Sequence, residues 1–383
     1  MSALLFQPLD LRGLTLANRI VVEPMTQFSA HDGTAGDWHL MHLGQFAVSG
    51  AGLVLSESTY VAAEARNTPL CLSLYTDEQE AAIARIKRFF DAYGAARFGV
   101  QLCHGGRRAS AKEPWLGGGP RLPEEGGYPT VAPSPIALSA QWPRPHELTA
   151  GELSVVLDQF VSSARRALRA GVDLIELHCA HGYLLHQFLS PLSNRRGDRY
   201  GDSLANRIRF PREVFAAIRA VWPADKPLGV RVSATDWVTG GWDLEQTLHF
   251  ARELDALGCD FIDVSSGGLS TEQRITVGAG YQTPFAAALK QAVKMKVIAV
   301  GLITHPHQAE TILMTGQADM IGLARAMLFD PRWPWHAAQA LGVNLEYPRQ
   351  YERAHPSRRA GAGINAPGNA APPPGMTAPP AAR

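Results

Sequence analysis

Cysteine is scarce in this chain: four in 383 residues, at Cys71, Cys103, Cys179 and Cys259, with no Cys-x-x-Cys pair among them. Zinc knuckles and iron-sulfur clusters are built on such closely spaced thiols, so neither is expected, and the four read as reduced, buried side chains. Long apolar runs are also missing. No stretch suffices to span a bilayer, and the opening MSALLFQPLDLRGLTLANRI has no basic segment followed by an apolar one, so a cytoplasmic protein without a membrane partner is expected. Neither sign of charge dominates: 36 Lys and Arg face 35 Asp and Glu. With no basic stripe, no nucleic-acid partner is expected, and a small neutral or anionic ligand fits better. The sequence also lacks GxSxG, SxxK and GxxxxGK[ST], which removes most support from hydrolase and nucleotide-driven readings.

What the chain does have is a rhythm. Short runs rich in Val, Ile and Leu alternate with longer stretches of helical period, the pattern of parallel strands covered by helices. Strands are expected near Arg19-Val22, Leu53-Ser58, Arg97-Leu102, Leu174-His178, Leu228-Val232, Phe261-Ser265, Val297-Val300 and Met320-Gly322. Helices are expected at His39-Val48, Asp77-Tyr93, Ala150-Ala170, Ser203-Val221, Leu244-Leu257, Pro284-Val293, His305-Thr315 and Pro331-Leu341. Eight of each suit a closed (β/α)8 TIM barrel. Thr149 with Glu152 resembles a capping box, while Gly171, Gly258 and Gly316 sit where left-handed helix ends are common. Two stretches break the pattern. From His104 to Leu148 the chain is dense in Gly and Pro, and it is read as a lid or rim following a strand's C-terminal end. Beyond Ala354 it becomes Ala, Pro and Gly with few large apolar residues. The expectation is a barrel over 1–353 and a disordered tail over 354–383.

In such a barrel the chemistry sits at the C-terminal ends of the strands. The segment HCAHGYLLHQFLSPLSNRRGDRYG, His178 to Gly201, begins at one of them. Two imidazoles and a phenol there suit an enone: His178 and His181 would hold the carbonyl oxygen as charge develops, and Tyr183 would protonate the α-carbon. The same two histidines are also compatible with a metal pair or with ordinary loop hydrogen bonding. Zinc would need a third ligand, and no carboxylate or cysteine is obviously placed to supply it.

The SPLSNRR and DRYG stretches closely resemble the old yellow enzyme family of FMN-dependent ene-reductases, particularly its bacterial thermophilic-like subgroup, and the resemblance runs from about Phe6 to Arg353. It implies a barrel that holds FMN and accepts hydride from NAD(P)H. Hydride then passes to activated C=C bonds of small-molecule enones, enals, maleimides or nitroalkenes in ping-pong fashion. Gln101 and Arg231, ending the third and fifth strands, suit an isoalloxazine: an amide can pair with its pyrimidine edge, and a guanidinium can stabilise the reduced anion. Gly301 in AVGLIT, with Gly322 and Arg325 in IGLAR, suits a phosphate at the last two strands.

The segment EPMTQFSA resembles the family's first-strand segment, which assigns Pro24, Met25 and Thr26 to the flavin, as it does Ser58 on the second strand. Thr26 stands where the subgroup usually has cysteine, and Phe28 where it usually has a substrate-holding tyrosine. The turn Tyr200-Asp202 lacks a second, frequent glycine. The ending QYERA resembles a subgroup feature that implies a homodimer or homotetramer, with Arg353 reaching the neighbouring copy's substrate pocket. Longer relatives with iron-sulfur clusters are excluded by the cysteines. A flavin-free barrel lyase or isomerase, and a flavin-binding protein without turnover, remain as alternatives.

Overall fold

The computed structural model describes residues 3–358. The chain divides into two compact units, Met1–Asn344 and Leu345–Arg383. The first is the barrel. The described part of the second holds two short 3-10 turns, Arg349–Ala354 and Pro356–Arg358, and the rest of the expected tail, 359–383, lies outside the described residues.

Eight parallel strands close the barrel in chain order: β1 (Ile20–Val22), β2 (Leu53–Tyr60), β3 (Arg97–Cys103), β4 (Leu174–Cys179), β5 (Leu228–Ser233), β6 (Phe261–Ser265), β7 (Lys296–Ala299) and β8 (Met320–Leu323). All eight strands lie where the alternation of apolar runs places them. The helices α1 (Asp37–Ala47), α2 (Asp77–Tyr93), α3 (Ala150–Arg169), α4 (Arg209–Val221), α5 (Leu244–Ala256), α6 (Thr283–Ala292), α7 (Pro306–Met314) and α8 (Trp333–Ala340) follow them. The capping box forms as expected: the Thr149 hydroxyl accepts from the Glu152 amide at 3.3 Å, and the Glu152 carboxylate accepts from the Thr149 amide at 2.7 Å. Gly171, Gly258 and Gly316 all adopt positive φ.

One expected helix is two. Ser203-Val221 breaks into Leu204–Arg207 and α4, because Pro211 has no N–H to donate and is tolerated in a helix's first turn, so the helix restarts just before it. Asp202, in the turn that lacks the frequent glycine, has φ 67° and is exposed, a conformation Asp accepts more readily than most side chains. The excursion from His104 to Leu148 carries the short turns Gly106–Arg108, Pro114–Leu116 and Pro123–Glu125 and a ribbon of Val131–Ala132 against His146–Glu147. Arg196 pins it by donating to the carbonyls of Pro133 and Leu148 at 3.0 and 2.6 Å.

The barrel interior is stratified. Its lower end is closed by an antiparallel hairpin, Leu9–Leu11 with Leu14–Leu16, whose Leu9, Leu11 and Leu16 join Val21, Leu174 and Phe261 in one apolar cluster. Side chains two apart on a strand share a face, so the next inward positions, Glu23, Gln101, Glu176, Arg231 and Asp263, form a polar layer above it. These are all buried. Space in the lower layer depends on glycine: a Cβ on Gly229 would collide with the Phe261 ring. Gly229→Ala is therefore expected to lower the unfolding free energy by about 1–3 kcal/mol, the usual cost of overpacking. Chemical denaturation checks this, and an unchanged midpoint would show that the layer has slack.

Candidate active site

His178 lies on β4 and His181 on the turn that follows. Burial above all holds both imidazoles well below their usual pKa, helped by His181 and Arg231 in the case of His178 and by Arg231 in that of His181. Both are neutral at neutral pH, and the hydrogen bonds fix their tautomers. His178 Nδ1 accepts from the Ala180 amide at 3.2 Å, leaving its proton on Nε2, which faces His181 Nδ1 at 3.3 Å. His181 then carries its proton on Nε2, 2.7 Å from Ser265 Oγ. His181 has φ 58°, an unfavourable conformation that its surroundings impose. Its amide donates to Ser233 Oγ at 3.0 Å, and its carbonyl accepts from Arg108 at 2.9 Å. A Cβ on Gly268 would sit 2.6 Å from the His181 Cα.

Tyr183 caps the short helix Leu184–Leu189. Its ring meets His178 edge to face at 4.8 Å between centroids, so the three residues expected to work together do converge. Burial raises the Tyr183 phenol pKa, with the Arg108 guanidinium, 5.6 Å from the ring centroid, opposing it. The phenol is protonated at neutral pH.

Beneath lies the polar layer. Arg231 Nε is 2.8 Å from Asp263 Oδ2, and its Nη2 is 3.0 Å from Glu23 Oε2. Gln101 donates to Glu176 at 2.7 Å and accepts from the Ser58 hydroxyl at 2.8 Å, which leaves one amide hydrogen and one lone pair for a ligand. Three carboxylates share one guanidinium. Fully ionised they would leave two uncompensated charges, and burial followed by the Asp263 charge pushes the Glu23 pKa up and that of Glu176 up to about 8. For Arg231, burial opposes the charge, but Asp263, Glu23 and Glu176 outweigh it.

Sequence reasoning found Gln101, His178 and Arg231 but missed Glu23, Glu176, Asp263 and Ser265. The signal was present: each is a polar residue at an inward position of an otherwise apolar strand. The first-strand segment leaves β1 half-buried through Pro24, Met25 and Thr26. Phe28, at φ 48°, meets Trp115 of the long excursion edge to face at 5.6 Å, which brings that loop to the first-strand segment. Arg353 lies in the second unit, in the 3-10 turn Arg349–Ala354, and is exposed.

At the ends of β7 and β8 a cavity of about 150 Å³ is lined by Glu23, Arg231, Ser265, Gly301, Gly322 and Arg325, among others. Gly301 has φ 121°, open to glycine alone in practice. Gly322 has a further role: a Cβ there would run into the Glu23 carboxylate. Arg325 is exposed and forms no ion pair among the described residues. No group of three or more His, Cys, Asp or Glu among the described residues is disposed to hold a metal. All four cysteines are free and buried. No described helix is long and apolar enough to cross a membrane.

Residues 4–344 match the model of the NADH:flavin oxidoreductase / NADH oxidase family. The chain belongs to that family. An NADPH dehydrogenase of Geobacillus sp. (strain WCH70) is 40% identical over 355 residues, 92% of this chain and 99% of the relative. One from Listeria innocua serovar 6a is 42% identical over 354 residues, 91% and 98% of the two chains. Among solved structures, morphinone reductase has a TM-score of 0.75 at 28% identity, covering 92% of this chain and 93% of that one. The protein is an NAD(P)H-dependent oxidoreductase of the old yellow enzyme type, with FMN as its cofactor.

The residues present fit FMN. Arg231 lines the cavity, Gln101 keeps one amide hydrogen and one lone pair beyond its bonds to Glu176 and Ser58, and Gly301 leaves the backbone bare beside exposed Arg325.

The polar layer makes stability depend on pH. A carboxyl raised from its ordinary 4.5 to about 8 contributes fully below 4.5, and the contribution is lost as pH rises through 8. Glu176→Gln should therefore lose less melting temperature than the wild type between pH 4.5 and 8. Identical pH profiles in the two proteins would mean that Glu176 stays ionised in the fold.

Proposed function

We propose that the protein is an ene-reductase, reducing activated C=C bonds of α,β-unsaturated carbonyl and nitro compounds. The observation that carries this reading is the convergence of two neutral imidazoles and a protonated phenol at one strand end. The chemistry supplied by bound FMN is hydride transfer, taken from a reduced nicotinamide and given to the β-carbon of the alkene. Arg231 and Gln101 are assigned to the isoalloxazine, Thr26 to its first-strand edge with Pro24 and Met25, and Ser58 to holding Gln101. Arg325 and the Gly301 and Gly322 backbone are assigned to the phosphate.

His178 and His181 act on the substrate oxygen. In binding a carbonyl, the His178 N–H exchanges its bond to His181, and the His181 N–H its bond to Ser265, for the oxygen that becomes anionic. Neutral donors in a dry site need no deprotonation to do this, and each such donor is typically worth roughly 3 kcal/mol at the transition state. Tyr183 delivers the proton to the α-carbon. Phe28 lines the substrate side without a hydroxyl, so the two histidines carry the carbonyl without its help. Nicotinamide and alkene take turns in one pocket, which gives ping-pong kinetics.

Rapid-mixing absorbance on the isolated holoenzyme separates the roles. Tyr183→Phe is expected to slow flavin reoxidation by cyclohexenone roughly 100-fold or more, with flavin reduction by NADPH unchanged. Equal slowing of both halves would refute the proton-donor role, and a wild-type flavin that NADPH bleaches but no enone restores would refute ene-reduction.

A further inference from the structure

Asn67 lies on the chain between β2 and α2, a region that no motif singled out. Its Nδ2 donates to the Tyr183 hydroxyl oxygen at 2.9 Å. An amide NH2 can only donate, so this bond consumes a lone pair of the phenol and leaves the phenol's own proton free to point elsewhere.

Asn67 is held through its backbone, whose carbonyl accepts from the Ala111 amide at 2.6 Å. A Cβ on Gly105 would come within 2.7 Å of Asn67 Oδ1, so Gly105 provides the room the side chain occupies, and the buried Oδ1 itself has no hydrogen-bond partner among the described residues. The titratable and charged groups that face Tyr183 are Arg108 over the ring, Tyr60 and His178 at its edges, and Cys103 and Cys71 beyond. Arg108 is tied to the His181 and Gly268 carbonyls. Asn67 donates to the phenol oxygen at 2.9 Å, and the Tyr60 hydroxyl also interacts with it, which lowers the Tyr183 pKa against the effect of burial.

We propose that Asn67 is a positioning residue for proton delivery: its amide aims the Tyr183 O–H at the substrate and stabilises the phenolate that remains. This rests on the reading of Tyr183 as proton donor. In the step concerned the Tyr183 O–H bond breaks, and a C–H bond forms at the α-carbon of the substrate enolate from the enolate's electron pair. The phenolate left behind is later reprotonated by water. A hydrogen bond to an anion is stronger than one to the neutral group, so the Asn67 bond strengthens as the proton leaves and lowers the barrier.

The test uses the holoenzyme and cyclohexenone. Asn67→Ala should slow flavin reoxidation roughly 10-fold or more without changing flavin reduction by NADPH. Asn67→Asp, which keeps the shape but offers the phenol an acceptor in place of a donor, should slow it further. In a Tyr183→Phe background neither change should have an added effect, because the coupling runs through the hydroxyl. Independently of turnover, the Tyr183 phenolate absorbance, read as wild type minus Tyr183→Phe, should appear at higher pH in Asn67→Ala. Full reoxidation rates in both Asn67 variants, or effects additive with Tyr183→Phe, would overturn the role of Asn67 and leave that of Tyr183 intact. A fast Tyr183→Phe would instead remove the reading on which it rests.

Discussion

Exclusion of water from the C-terminal end of the barrel sets the protonation of His178, His181 and Tyr183 in this protein. The same desolvation that lowers the His178 and His181 pKa raises those of Tyr183, Glu23 and Glu176. The two imidazoles lose their extra protons and the phenol keeps its own, so these three side chains present N–H and O–H donors that carry no charge, above a charged Arg231. Such donors suit a reaction in which negative charge appears on a substrate oxygen and is then quenched by a proton.

The dryness has a structural source. The hairpin of Leu9–Leu11 and Leu14–Leu16 seals one end of the barrel, and an apolar layer lies on it. The polar layer above is therefore cut off from solvent on that side, and its charges answer mainly to one another. Arg231 is held between Asp263 and Glu23, which fixes its orientation at the floor of the cavity. Those carboxylates also temper the positive charge that Arg231 offers a ligand. Glu23 is the member of the set for which Gly322 makes room, so the first and eighth strands are coupled through the bare glycine.

Much of this was legible in the sequence. The alternation of Val, Ile and Leu runs with helical stretches located the eight strands, because burial on both faces leaves a continuous apolar signal. The block from His178 to Gly201 located the three polar side chains that converge at one strand end, since they follow one another along it. What was not legible depends on packing across the barrel. Glu176 and Asp263 look like stray polar residues until the closed sheet turns them toward Arg231. Asn67 is far from Tyr183 along the chain, and no periodicity links them. The break before Pro211 could have been read from proline's missing donor. The hairpin near the N-terminus was hidden by its brevity.

The account stands on His178 and His181 being neutral Nε2–H donors in the folded enzyme. Nitrogen-15 NMR of histidine-labelled holoenzyme, assigned with single His→Gln variants, reads this directly. The account predicts that both imidazoles keep the neutral Nε2–H pattern as pH falls below their ordinary 6.5. Signals that move to the imidazolium pattern with a midpoint near that value would contradict it.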